Sequence, residues 1–236
     1  MLPAFLTEAS AETDRGGLEI IDLGLADYRA AWKKQKRLVR LRSLGACPDT
    51  VLFVEHPSVY TRGTSGRGLP PARLPAPLYD VERGGGVTYH GPGQLVGYPI
   101  LHLRERALSV GAYLRGLEDC LISACATLGL RAQRIKGFTG VWARDKKIAS
   151  IGVAVREWTT YHGFALNVDP DLSHFSHIHP CGLEPEQISS LSLLLDRKVT
   201  RIEARNAVAD ALRRGFPLVS GSMCYNPVAM EQAPSR

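Results

Sequence analysis

The chain has 236 residues, of which 44% are hydrophobic and 22% charged, enough apolar material for one sizeable core and, as the simplest reading, a single domain. Its net charge of +6 implies attraction to something acidic. No zinc finger, aromatic RNP-like run or basic tail accompanies that charge, so an acidic protein fits at least as well as nucleic acid, and the reading carried forward has no nucleic-acid partner.

The opening residues show no basic segment leading into an apolar run, and no stretch reaches the roughly 18 apolar residues of a membrane span. A soluble, cytoplasmic protein without a membrane partner is expected. Cys47, Cys120, Cys125, Cys181 and Cys224 are odd in number and contain no C-x-x-C pair, so free thiols are expected rather than disulfides or a zinc knuckle.

Residues 1–17 and 219–236 lack apolar periodicity and are expected to be mobile tails around a body at 18–218. Apolar residues at helical spacing (Leu25, Tyr28, Trp32, Leu38, Leu41) predict a helix over 25–44, which also carries the basic cluster Lys33, Lys34, Lys36 and Arg37. Short β-rich runs bounded by Gly, Pro or Asp predict strands at 51–55, 79–82, 94–100, 148–155 and 161–168. The Pro-rich stretch at 68–78 reads as a loop. A helix is predicted over 109–128 with Ser109 as its N-cap, and two more at 185–195 and 202–216. Strands and helices mix without regular β-α-β alternation, which predicts the α+β class.

Between two of those strands lies RGGGVTYHGPGQLVGY, from Arg83 to Tyr98, with six glycines, a proline and a histidine. A dinucleotide fingerprint starting at Gly91 and Gly93 would need glycine where Val96 stands, and no G-x-x-x-x-G-K-[ST] occurs anywhere. A common phosphate cradle is therefore disfavoured, and taken alone the stretch reads equally as a glycine-rich strand connection.

Further on, DLSHFSHIHPCG gathers His174, His177, His179 and Cys181. The spacing H-x-x-H-x-H-x-C lacks the helical histidine pair or the paired cysteines of common zinc sites, so no metal is expected. Cys181, flanked by proline and glycine, sits on a turn with little bulk to block an electrophile. A thiol with an ordinary pKa near ~8.5 is only a few per cent thiolate at neutral pH, so a reactive cysteine needs a neighbouring cation. Lys147 and His90 are the candidates. On residue type alone, Cys181 reads as a structural thiol and Lys147 as a strand-end charge.

Five segments taken together resemble one family. EHPSVYTRG, RGGGVTYHGPGQLVGYPI, KKIASIGV, HGFALNV and FSHIHPCG occur in the order found in the octanoyltransferases of lipoate biosynthesis, the lipoyl(octanoyl) transferase family, and span 55–182. The resemblance implies an α+β fold with a mixed sheet, shared with biotin and lipoate protein ligases, and 18–218 as the catalytic domain. It implies a reaction that moves an octanoyl group from octanoyl-acyl carrier protein to a lysine of a lipoyl domain, in the E2 subunits of 2-oxoacid dehydrogenases or the H protein of glycine cleavage.

By position, the resemblance makes Cys181 the nucleophile that carries an acyl-thioester, and Lys147 the residue that lowers its pKa and serves as acid or base. It makes Arg83, Gly84, Gly85, Gly86, Val87, Thr88, Tyr89 and His90 a substrate-contacting segment, with Ser150, Ile151 and Gly152, and Gly163, Phe164 and Ala165, as two others. No cofactor and no metal are implied, and a monomer is expected. His174, His177 and His179 fall between matched residues where the resemblance requires no histidine. Two alternatives remain at this point: an ATP-using lipoate ligase, which would not need Cys181, and a noncatalytic binder of acyl or lipoylated proteins.

Overall fold

Residues 11–12, 17–66, 73–178 and 183–217 are described by the structure, a computed structural model of the chain. Its centre is an eight-stranded mixed sheet. In chain order the strands are β1 (Ala11–Glu12), β2 (Leu18–Leu25), β3 (Asp49–Glu55), β7 (Gln94–Ile100), β8 (Gln133–Ile135), β9 (Phe138–Ala143), β10 (Lys146–Arg156) and β11 (Thr159–Asn167). They lie in the order β1-β2-β3-β7-β11-β10-β9-β8, with β2 and β3 parallel and every other neighbouring pair antiparallel. A smaller sheet, β5-β4-β6, comprises β4 (Val59–Arg62), β5 (Leu78–Asp80) and β6 (Val87–His90).

Strand side chains alternate between faces, so each central strand of the large sheet feeds two cores. Val51 and Phe53 of β3, Leu95 of β7, and Phe164 and Leu166 of β11 join a cluster with Leu117 and Leu121 of α2 (Val110–Thr127) and Val208 and Leu212 of α4 (Arg201–Gly215). Their neighbours Leu52, Val54, Val96, Tyr98, Ile100 and Ala165 turn the other way and pack with Ala31 and Val39 of α1 (Tyr28–Ser43). Helices thus cover both faces of a mixed sheet, the α+β arrangement expected.

Local chemistry sets the helix ends. Asp27 accepts from the Ala30 amide to open α1, Ser109 from the Ala112 amide to open α2, and Thr200 with Glu203 forms a capping box for α4. The strand at 94–100 is found as predicted, and the helices predicted at 109–128 and 202–216 match α2 and α4 to within a residue or two.

The helix predicted over 185–195 does not form as one element. A single 3-10 turn, Pro185–Gln187, is followed by α3 (Leu191–Leu195). Between them Ile188 pairs with Lys147 as an isolated parallel bridge, and the Ser189 amide donates to the Lys147 carbonyl at 3.0 Å. Pairing with β10 therefore overrides the helical pattern.

Of the predicted tails, Ala11–Glu12 forms the edge strand β1, while 1–10, 13–16 and 218–236 lie outside the described residues. His179, Pro180, Cys181, Gly182 and Cys224 do so as well, together with 67–72 of the Pro-rich stretch. No described helix is long and apolar enough to cross a membrane.

Candidate active site

The stretch from Arg83 to Tyr98 is more than a loop. Its middle forms β6, and Gly91, Pro92 and Gly93 carry the chain directly into β7 of the large sheet. Gly93 has φ +85°, and a Cβ there would run into the backbone of Asp169 and Pro170. Its carbonyl accepts from the amides of Val168 (3.1 Å) and Asp169 (2.9 Å), pinning the connection against the end of β11. A buried amide chain reinforces the join: Gln94 Nε2 donates to Asn167 Oδ1 at 3.0 Å, and Asn167 Nδ2 donates to the Ser189 carbonyl at 2.9 Å.

A cleft open to solvent lies where these elements meet. Residues from three separate sequence segments converge on it: Arg83, Gly84, Thr88 and His90; Ser150, Ile151 and Gly152 of β10; and Gly163, Phe164 and Ala165 of β11. Tyr28 from the start of α1, Tyr98 of β7 and His162 of β11 complete the wall.

Alternation along β6 explains which of its residues face the cavity. Thr88 and His90 do, whereas Val87 and Tyr89 belong to an apolar cluster with Tyr60, Trp142 and Phe175. Tyr89 stacks on His174 with centroids 4.5 Å apart. Gly85 and Gly86 use their carbonyls to hold the backbone of Ser65 and Gly63, and are not among the lining residues.

The wall carries several polar side chains but, among the described residues, no carboxylate. Arg83, nearly buried, donates from Nη2 to the Thr61 carbonyl (2.8 Å) and Thr61 Oγ1 (2.9 Å), and from Nη1 to the Gly84 carbonyl (3.0 Å). The ring of His90 lies parallel to Tyr28 at 6.1 Å. Burial pushes His90 well below its ordinary value of 6.5, and nearby His56 and Arg83 add to the shift.

Burial also pushes His162 down to about 4, despite a 3.4 Å contact with Glu82 that opposes the shift. Its amide donates to the buried Gln35 of α1 at 2.8 Å, which fixes the residue at a left-handed φ of +54°. Behind the wall, His56 bridges the Ala26 carbonyl and the Tyr98 hydroxyl, each at 2.8 Å, and burial takes it to about 4 as well. At neutral pH the cavity therefore presents neutral imidazoles, phenols and one guanidinium, beside the apolar surfaces of Ile151, Phe164 and Ala165.

Lys147 lies on β10 three residues before Ser150 and is 3% exposed. The register against β9 shifts between Lys147 and Ala149, because Lys147 faces Trp142 and Ala149 faces Val141. Such a bulge adds one residue to a strand and re-aims the side chains around it. The ammonium stands 5.8 Å from the centre of the Trp142 ring.

Residues 179–182, Cys181 among them, are outside the described residues, and Ile178 and Leu183 are the nearest described residues on either side. Ile178 and Leu183 are buried in the same apolar cluster as Trp142 and Ile188, the two ladder partners of Lys147. The described cysteines are free thiols of another kind. Burial pushes Cys120 and Cys125 up to about 12 and raises Cys47, so none of the three is a thiolate at neutral pH. His174 and His177 sit in and at the end of a 3-10 helix (Leu172–His177), and among the described residues no three His, Cys, Asp or Glu side chains gather as a metal site.

Sequence reasoning had not singled out Tyr28, Tyr98 or His162 for the site. Two of the three had a signal: Tyr98 lies in the glycine-rich stretch at the parity of Val96 and Ile100, and His162 opens the segment HGFALN.

Known proteins similar to this chain identify its family. The family model for the lipoyl protein ligase A/B catalytic domain matches residues 27–213. The chain is 47% identical over 195 residues to the octanoyltransferase of Geobacter sulfurreducens, covering 81% of this chain and 82% of that one. The chain belongs to the octanoyltransferase family. The octanoyltransferase of Mycobacterium tuberculosis is 46% identical over 206 residues, covering 86% of this chain and 89% of the relative. Among solved structures, lipoate-protein ligase A bound with ATP superposes with a TM-score of 0.65 over 85% of each chain at 17% identity, a likeness of fold.

Proposed function

We propose that this protein takes an octanoyl group from octanoyl-acyl carrier protein onto Cys181 as a thioester, and passes it to a lysine of a lipoyl domain. Membership of the octanoyltransferase family makes the chain an acyltransferase of lipoate biosynthesis. The observation that carries the finer reading is convergence: the three proposed substrate segments wall one cavity, and the ladder partners of buried Lys147, Trp142 and Ile188, lie in one apolar cluster with Ile178 and Leu183, the nearest described residues on either side of Cys181.

In the first step the Cys181 thiolate attacks the thioester carbonyl carbon. A new C–S bond forms, the bond to the carrier's sulfur breaks, and the departing thiolate takes a proton from the Lys147 ammonium, which leaves that amine neutral for the second step. In the second step the acceptor amine attacks the Cys181 thioester, an amide C–N bond replaces the C–S bond, and Lys147 takes the amine's proton. Exchange between thioesters is nearly isoenergetic and amide formation is downhill, so no ATP is required. The cavity suits this chemistry: apolar surfaces for the chain, and neutral hydrogen-bonding groups for a carbonyl. E2 lipoyl domains and the H protein of glycine cleavage are the acceptors this reading assigns.

The donor and acceptor proteins are of acidic types, and α1 offers a complementary face. Arg29, Lys33, Lys36, Arg37 and Arg40 are exposed at helical spacing along about 16 Å of the helix, starting beside Tyr28 of the cavity wall.

The test is intact mass after incubation with octanoyl carrier protein and no ATP. One octanoyl group is expected on the wild type and on Cys120→Ala, and none on Cys181→Ala. An adduct that survives Cys181→Ala, or one that requires ATP, would sink the thioester route.

A further inference from the structure

Lys147 stands against a wall made by one glycine. Gly140 of β9 has φ +133°, a backbone conformation that side chains rarely adopt, and a Cβ there would lie 2.7 Å from Lys147 Cε and 3.4 Å from its Nζ. The same Cβ would lie 2.5 Å from the Ala149 carbonyl oxygen. The lysine stem therefore occupies space that any other residue would fill.

The Gly140 peptide is held by a hydrogen bond of its own. Its N–H donates to Glu118 Oε1 at 3.0 Å, and Glu118 is a fully buried residue in the middle of α2. The other carboxylate oxygen accepts from Arg115 Nη1 at 2.5 Å and from Arg134 Nε at 2.9 Å. Burying a carboxylate is expensive unless it is paired and hydrogen-bonded, and these two arginines supply the pairing. They do not explain why one oxygen reaches a strand amide beside Lys147.

We propose that Glu118 and Gly140 are positioning residues for Lys147: the carboxylate fixes the Gly140 peptide, and the bare face of that glycine fixes the path of the lysine stem. The inference rests on the reading of Lys147 as the residue that activates Cys181. Without the carboxylate, the Gly140 N–H loses a buried acceptor and the peptide turns to find another. The wall then moves, and the ammonium moves with it.

Four variants test this: Glu118→Gln, Glu118→Met, Gly140→Ala and, as reference, Lys147→Ala. Each is read by melting temperature, by octanoyl transfer per folded molecule, and by the pH midpoint of Cys181 alkylation with iodoacetamide. Glutamine keeps an oxygen for the Gly140 amide, whereas methionine keeps only the length. Glu118→Met and Gly140→Ala are expected to lose transfer by about a hundredfold, the scale set by misplacing a catalytic group by an ångström. Their alkylation midpoints move up towards that of Lys147→Ala. Glu118→Gln melts earlier than wild type yet keeps the wild-type midpoint and most of the rate.

Glu118→Met with a lowered melting temperature but wild-type rate and midpoint would overturn the proposal, leaving Glu118 purely structural. A wild-type midpoint in Lys147→Ala would instead remove the reading beneath it, and the proposal with it. Should Glu118→Met fail to fold, Gly140→Ala decides when combined with Lys147→Ala. Removing the stem should restore part of the melting temperature lost by Gly140→Ala alone, and equal melting temperatures would refute contact between the two.

Discussion

The two faces of the large sheet come from the same strands and serve opposite ends. Towards α2 and α4 the strands present Val51, Phe53, Leu95 and Leu166, packed against leucines and alanines. One residue along, towards α1 and the small sheet, buried positions include Gln35, His56, His90, His162 and Arg83 among the aromatics. The first face removes apolar area from water, and even Cys120 and Cys125 are rendered inert there. The second keeps imidazoles neutral and encloses a hydrogen-bonded guanidinium, the pattern of a candidate site. Stability and chemistry have been divided between the faces.

Truncating the apolar face should have the largest effect on stability and the least on chemistry. Leu121, fully buried, is expected to cost about 2–5 kcal/mol on Leu121→Ala. Denaturant unfolding gives that number, and octanoyl transfer per folded molecule should stay within about twofold of wild type. A rate that collapses with stability would break the division of labour.

Acid should act through the other face. His56 and His162 have ordinary values of 6.5 and folded values near 4, so between those limits the unfolded chain binds protons that the folded chain refuses. The stability contributed by keeping them neutral is present in full above pH 6.5 and is lost as pH falls towards 4. The gap corresponds to about 3 kcal/mol for each histidine, an order of magnitude. Melting temperature should therefore drop through this window, and the curve for Leu121→Ala should run parallel below it. A flat profile between pH 7 and 5 would mean that these histidines titrate freely.

Salt should have the smallest effect, and on rate alone. On the proposed function, the exposed cations of α1 would speed encounter with acidic carriers by long-range attraction, which ions screen. Transfer rates are expected to fall several-fold from low to high ionic strength, and less steeply in Lys33→Glu with Arg37→Glu. Identical salt slopes in the two proteins would move the docking surface elsewhere.

Much of this division can be read in the sequence. Helix α2 is visible because its capping serine and its period of 3.6 agree, and β7 because Gln94–Ile100 is bounded by glycine and proline signals. Less visible are β4 and β6, four residues each, since pairings such as Thr61 with Thr88 are made across the chain and leave little local trace. The helical pattern over 185–195 misleads because Ile188 and Ser189 are claimed by β10. For the site, the motif segments mark the strands that wall the cavity. Tyr28 has no such mark, because the packing of α1 across β7 and β11 brings it there.

The three-residue link from β6 to β7 sets a rule of length. One more residue just before Gln94 would shift β7 by a single step and turn every side chain over, since the pleat repeats every two residues. Leu95 would then face α1, while Tyr98, the partner of His56, would turn into the α2 and α4 leucines. One added codon would thus bury a phenol without its acceptor and place an aliphatic chain where the cavity wall now stands. The connection is constrained in count as well as in its two glycines.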